Sequence, residues 1–239
     1  MTAPWRTGVF TEIIQETPNT RRFRIRIPEL ESFDFLPGQF VTLDLPIHER
    51  PARRWRSYSI ASAPDGTNEI ELVIVLLEGG AGTTYLFNEV QPGTEVTLRG
   101  PLGVFTLPEA IEGDLFFICT GTGIAPFRSM LTYMRNHGIT RNQNMYLLLG
   151  TRTQQDLLYH REMQQLEAAL ERFRYIPTLS REQWEGHSGY VHTLYETILE
   201  DKGPAHFFLC GWKEMINEAK RRIQAMGYDR KAIHQELYG

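Results

Sequence analysis

"LFFICTGTGIAPFRSMLTYMRN", residues 115–136, decides the fold. A short apolar run breaks at two glycines and gives way to an amphipathic stretch. In that stretch Phe127, Met130, Leu131 and Met134 fall at i, i+3, i+4 and i+7, one apolar face of a helix. The join, "TGTGIAPF" (120–127), is therefore a strand-to-helix turn. Gly121 and Gly123 let the backbone turn tightly and approach a ligand, Pro126 suits a first helical turn, and the free amides of a helix start attract phosphate. A lone G-x-G is a weak signal, because many tight turns share it. Between an apolar strand and an amphipathic helix it points to dinucleotide binding at Gly121, Thr122 and Gly123.

Downstream the alternation continues. Strand "MYLLLG", helix "DLLYHREMQQLEAALER", strand "RYIPTLS", a short helix over Val191 to Leu199, strand "HFFLCG", helix "KEMINEAKRRIQAMG" and a final strand "AIHQELYG" follow in turn. Strands alternating with helices predict a parallel sheet covered on both faces. Upstream the pattern differs. Strand-like runs at Gly8 to Ile14, Arg22 to Ile27, Gln39 to Leu45, Ser57 to Ala61, Glu69 to Leu77 and Thr94 to Leu98 are separated by turn signals such as "LPGQ" and "APDGTN", with no helical stretch among them. This predicts an antiparallel β-barrel or sandwich. The change falls near residues 108–113, which divides the chain into 1–110 and 111–239.

Composition limits the function. A net charge of −4 over 239 residues excludes a broad phosphate-neutralising surface, so nonspecific nucleic-acid binding is not expected. No apolar run approaches the ~20 residues that span a bilayer, and "MTAPWRTGVF" lacks a signal-peptide pattern, so the expected setting is cytoplasmic with no membrane partner. The only cysteines, Cys119 and Cys210, offer neither C-x-x-C nor iron–sulfur spacing, and no metal site is expected. Each ends an apolar run, where a free cysteine is usually a small core residue.

Against that acidic balance, "RRWRSYSIAS" (53–62) concentrates three arginines just before Tyr58 and Ser59. Alone, it reads as a solvated basic loop. Together with "GGAGTTYL" (79–86), "GPLGVF" (100–105), "GTGIAP" (121–126) and "CGWKEM" (210–215), in that order, it resembles the ferredoxin-NADP reductase superfamily over essentially the whole chain.

The resemblance implies an FAD-binding antiparallel β-barrel followed by an NADP-binding α/β domain. It places Arg56 on the flavin pyrophosphate, Tyr58 against the isoalloxazine ring and Ser59 near its N5. A guanidinium fork, an aromatic face and a hydroxyl suit those three tasks chemically. Arg53 and Arg54 receive no such role and remain solvated charge or part of a docking surface for an acidic protein. The second flavin element falls on Gly82, Thr83 and Thr84, with a plain glycine hairpin as the alternative. The loop that brings an aromatic ring onto the adenine in plant-type members is shortened here, which leaves the adenine contacts, and FMN as an alternative flavin, open.

In the C-terminal half "CG-x-x-x-M" places Cys210 beside the nicotinamide and leaves Cys119 structural. The ending "HQELYG" resembles the plant-type terminus, giving Glu236 a relay role and Tyr238 a place over the flavin ring. Gly239 departs from that terminus, and an ordinary edge strand is the alternative. In "TLSREQWEGHSGYV" (178–191), Ser180 and Arg181 resemble the pair that binds the NADP 2′-phosphate, and Tyr190 the ring that stacks on adenine. Ser188 stands where the plant type carries Lys, which weakens the preference for NADPH. The implied activity is electron exchange between NADP(H) and a separate one-electron carrier, ferredoxin or flavodoxin. The alternatives are an NADH-dependent reductase feeding an oxygenase or another acceptor, and a nonenzymatic nucleotide-binding or redox-sensing module.

Overall fold

A computed structural model describes residues 3–108, 111–139, 142–201 and 203–237. They form two compact units, one of Met1–Leu107 with Arg128–Tyr133, the other of Pro108–Phe127 with Met134–Gly239.

The first unit holds strands β1 (Trp5–Thr17), β2 (Thr20–Arg26), β3 (Phe40–Asp44), β4 (Trp55–Ser59), β5 (Glu69–Val75) and β6 (Glu95–Leu102), all paired antiparallel in the order β4-β3-β6-β1-β2-β5. A bridge from Ile60, just beyond β4, to Leu72 on β5 joins the two ends of that order, and Ala61 N donates to Glu71 O at 2.8 Å. The sheet is thereby closed into a barrel, which removes its free edges. Alternation then dictates the filling. Phe10, Phe23, Ile25, Val41, Leu43, Ile70, Leu72 and Leu98 are buried in one cluster, each contributing about 1.5–3 kcal/mol of burial.

Two features of this unit depart from the sequence reading. A helix, α1 (Ala81–Asn88), stands where only strands and turns were expected. Its Gly-Thr-Thr start has poor helix propensity, and burial of Leu86 together with the hydrogen bonds of Thr83 Oγ1, which accepts from Leu77 N and donates to Gly80 O, holds it instead. Arg54 is also not solvated free charge. It forms an ion pair with Asp44, whose register partner Trp55 sets the two side by side. Glu71, a buried carboxylate in the middle of β5, is faced by Arg22, Arg24 and Arg128 at 3.5, 3.5 and 3.1 Å. Such a charge is tolerated only because it is paired.

The second unit is a parallel sheet in the order β10-β9-β8-β7-β11-β12. From the domain border onward the elements are β7 (Asp114–Thr120), α2 (Ala125–Asn136, whose Arg128–Tyr133 segment is counted with the first unit), β8 (Met145–Thr151), α3 (His160–Ala169), β9 (Phe173–Leu179), β10 (His187–Ser188), α4 (Val191–Ile198), β11 (Ala205–Gly211), α5 (Lys213–Ala225) and β12 (Ile233–Leu237). Helix α3 begins at His160, four residues later than the apolar run at Asp156 suggested. Asp156 instead completes a capping box with Thr153 around a single 3-10 turn. Phe116, Ile118, Phe207 and Leu209 face α4 and α5 through Leu194, Tyr195, Ile216 and Ile223. On the opposite face Phe117 meets Phe127, with ring centroids 5.2 Å apart.

The chain leaves β7 outward through β8, β9 and β10, then returns to lay β11 and β12 on its other side. Strand order therefore reverses between β7 and β11. The carboxyl ends of those two strands form the crevice where open α/β sheets bind ligands.

Among the described residues no helix is long and apolar enough to cross a membrane, and no group of three or more His, Cys, Asp or Glu side chains is placed to hold a metal ion.

Candidate functional site

In the first unit, Arg56 and Tyr58 are two residues apart on β4 and share one face, opposite Leu43 and Val41 of β3. Arg56 Nη1 donates to the carbonyls of Arg53 (3.0 Å) and Trp55 (2.8 Å), which fixes the guanidinium. Its stem crosses the first turn of α1. A Cβ built on Gly82 would lie 3.1 Å from Arg56 Cγ and 3.3 Å from Nε. The helix start has no side-chain cap at Gly80. The amides of Ala81, Gly82 and Thr83 precede the first helical bond, from Thr84 N to Gly80 O. A fixed guanidinium beside uncapped amides has the donor chemistry that suits an anionic group, and a glycine leaves room there.

The two threonines of this segment differ. Thr83 is buried, its Oγ1 accepting from Leu77 N (3.1 Å) and donating to Gly80 O (3.1 Å), so it shapes the turn, while Thr84 is exposed. Tyr58 lies against the barrel core, and burial pushes its phenol up to about 12, with the Arg56 charge acting in the opposite direction. Ser59 points to the other face and is buried.

In the second unit, the crevice is built by interlocking backbone. A Cβ on Gly123 would be driven into the carbonyl of Cys210, whose carbon would lie at 2.6 Å, with Gly211 Cα at 2.9 Å. Gly211 has φ +135°, and Trp212 N donates to Thr120 Oγ1 at 3.3 Å. Thr122 is half-buried in the same turn, and Gly121 takes φ +51°. Cys210 is fully buried, in register with Cys119 on one side and Glu236 on the other. Glu236 is half-buried on β12, an edge strand paired parallel with β11. Tyr238 lies outside the described residues.

At the far end of the same sheet, Ser180 donates through N (3.0 Å) and Oγ (3.2 Å) to Thr151 O, and Arg181 N donates to Arg152 O at 2.9 Å. These bonds bring Arg152 beside Arg181. Sequence reasoning passed over Arg152, which directly follows β8 as Ser180 directly follows β9. Among the described residues neither guanidinium is in an ion pair. Glu182, the adjacent carboxylate, instead accepts from Gln154 N at 2.8 Å. Tyr190, at the start of α4, is 72% exposed, and Ser188 Oγ donates to Glu182 O at 3.4 Å.

One more pair lies between β11 and β12, the strand that carries Glu236. His206 and His234 are within hydrogen-bonding distance, Nδ1 to Nε2 at 3.3 Å, and His234 stacks on Phe208 at 4.4 Å between centroids. Burial holds both imidazoles below their ordinary value, and the His206 charge adds to this at His234. The unfolded chain therefore binds these protons at higher pH than the folded one. Stability present above the ordinary histidine pKa is lost as pH falls from about 6.5 toward the lower folded values. Thermal midpoints measured from pH 7 to 5 should fall, and His234→Gln should flatten part of that slope. An identical slope in the variant would mean that the pair does not couple to unfolding.

The chain matches the Oxidoreductase FAD-binding domain over residues 8–107 and the Oxidoreductase NAD-binding domain over residues 117–221. It is 35% identical over 231 residues to ferredoxin–NADP reductase B of Sorangium cellulosum, covering 93% of each chain. The chain belongs to the ferredoxin-NADP reductase family. It is also 30% identical over 233 residues to the glycine betaine monooxygenase reductase subunit of Pseudomonas aeruginosa, spanning 95% of this chain but 63% of that relative's length. The structure of a ferredoxin NADP+ reductase from Neisseria gonorrhoeae with bound FAD and NADP matches with a TM-score of 0.82, 27% identity, and coverage of 99% of this chain and 100% of that one. The chain is thus a flavin-dependent electron-transfer reductase carrying FAD-binding and NAD-binding domains.

The flavin implied by the family suits the residues present. The guanidinium held across Gly82 and the uncapped start of α1 are donors fit for a pyrophosphate.

Proposed function

We propose that this reductase exchanges electrons between NADP(H) and a one-electron carrier such as ferredoxin or flavodoxin, with residues 1–110 serving FAD and 111–239 serving the coenzyme. The observation that carries NADP is the backbone bond from Arg181 N to Arg152 O, which sets two arginines side by side beyond β8 and β9, neither in an ion pair among the described residues. A 2′-phosphate gives such a pair a charge-assisted partner that NADH lacks.

When bound, FAD supplies the conversion between a two-electron hydride and single electrons. The chain's own groups bind and orient. Arg56 and the α1 amides hold the pyrophosphate. Tyr58 supports the ring and Ser59 offers it a hydroxyl. Gly121, Thr122 and Gly123 keep the crevice open to backbone approach. Cys210, small and uncharged, leaves room for a flat ring, Glu236 relays protons through its carboxylate, and Tyr238 supplies the terminal aromatic ring that the family resemblance assigns to the flavin. Tyr190 stacks on the adenine beside Ser180 and Arg181. Two buried cysteines outside any disulfide fit a reducing, cytoplasmic setting.

A second reading, an NADH-dependent reductase that supplies an oxygenase, has its own support. Ser188 contributes no charge where a phosphate contact would be expected, and one relative is named a monooxygenase reductase subunit. Anaerobic titration of the flavin with NADPH and, separately, NADH distinguishes the two. Arg181→Ala should raise the KM for NADPH about tenfold, as loss of roughly 1.5 kcal/mol predicts, and leave that for NADH nearly unchanged. A proportional loss with both coenzymes would remove Arg181 from phosphate reading.

A further inference from the structure

The two cysteines of this chain, 119 and 210, are direct register partners on adjacent parallel strands, so their side chains leave the sheet on the same face. Both are fully buried, and each is the last residue but one of its strand, immediately behind the crevice. Burial pushes the Cys119 thiol well up, and the neighbouring Cys210 adds to the effect.

Strand spacing and burial decide what such a pair can bind. Laterally adjacent strands lie about 4.8 Å apart, whereas a disulfide requires its Cβ atoms about 3.8 Å apart, so direct S–S closure would draw the strands together. Disulfide exchange also starts from a thiolate, which this environment disfavours. A single thiophilic atom inserted between the sulfurs spans a wider gap and leaves no charge behind.

We propose that Cys119 and Cys210 form a dithiol site for trivalent arsenicals. In the reaction with an arsine oxide, two S–H bonds and the arsenic–oxygen bond break, two As–S bonds form, and the oxygen leaves as water with both thiol protons. Arsenic remains trivalent and nothing is oxidised or reduced. The neutral product suits a dry site that penalises thiolates. Entry is from the carboxyl end of the strands, where Thr120, Gly121 and Thr122 are half-buried and Trp212 is exposed. The assignment does not depend on which coenzyme the crevice takes.

The test uses the full-length native protein and phenylarsine oxide, read by intact mass and by free thiols counted after unfolding. The expected product is one phenylarsine group per chain with loss of water and of both thiols. It should survive a millimolar monothiol wash and be removed by 2,3-dimercaptopropanol. Because the second As–S bond forms intramolecularly, loss in monothiol should be roughly a hundredfold slower than from Cys119→Ala. Cys119→Val, closer in volume, serves as a second variant should the Ala variant fold poorly. Failure of the native protein to form the adduct, or equal lability in wild type and whichever variant folds, would overturn the dithiol site.

Discussion

Gly123→Ala should nearly abolish flavin reduction by coenzyme while leaving flavin content intact. The added methyl would be driven into the carbonyl of Cys210, with Gly211 Cα at 2.9 Å, and both obstacles are backbone. No rotamer change relieves them. The carboxyl ends of β7 and β11 must separate, or the turn must move away. Overpacking of this kind costs about 1–3 kcal/mol, and a displacement near 1 Å at a hydride-transfer site can cost about a hundredfold in rate. Rapid mixing with NADPH should therefore show a fall of at least about a hundredfold in the reduction rate per unit coenzyme concentration. Gly121→Ala is the control. Its Cβ would meet nothing within 4 Å, although φ +51° makes the conformation mildly strained. It should lose about 1–2 kcal/mol of local stability at most. Equal behaviour of the two variants would show that close approach of the β7 turn to Cys210 does not matter to the crevice.

That contrast between two glycines two residues apart lay beyond the sequence. "TGTGIAPF" announced a tight turn because its flanks change period, and Phe127, Met130, Leu131 and Met134 are indeed buried along α2. Which glycine is pressed against a neighbour depends on β11, which is brought alongside from nearly ninety positions away in the sequence. Arg152 escaped notice for the same reason, since it meets Arg181 through a backbone bond between the segments that follow β8 and β9. Helix α1 was missed for a different one. Local propensity in "GGAGTTYL" opposes a helix, and tertiary burial overrides it. The barrel was legible because alternation has a fixed period of two, but its closure through Ile60 and Leu72 is a single bridge with no local signature.

The arginines of "RRWRSYSIAS" separate by partner, and this sets the expected loss on truncating each. Arg54 is neutralised by Asp44. Arg53 is exposed, with His48 Nε2 at 3.4 Å from its Nη1. Arg56 alone is laid across Gly82 at the start of α1, its Nη1 anchored on two carbonyls. In the proposed complex Arg56→Ala removes a charged hydrogen bond worth about 1.5–3 kcal/mol, which weakens flavin binding roughly 10- to 150-fold. Arg53→Ala should leave retention nearly unchanged. Arg56→Lys keeps the charge but loses the planar fork, so it should fall between them. Gel filtration at low protein concentration, followed by the flavin-to-protein absorbance ratio, reads the order directly. Equal flavin content in the Arg53 and Arg56 variants would place the pyrophosphate elsewhere. The α1 amides would then stand without their cation, and the charge of this stretch would have to be explained by a partner instead.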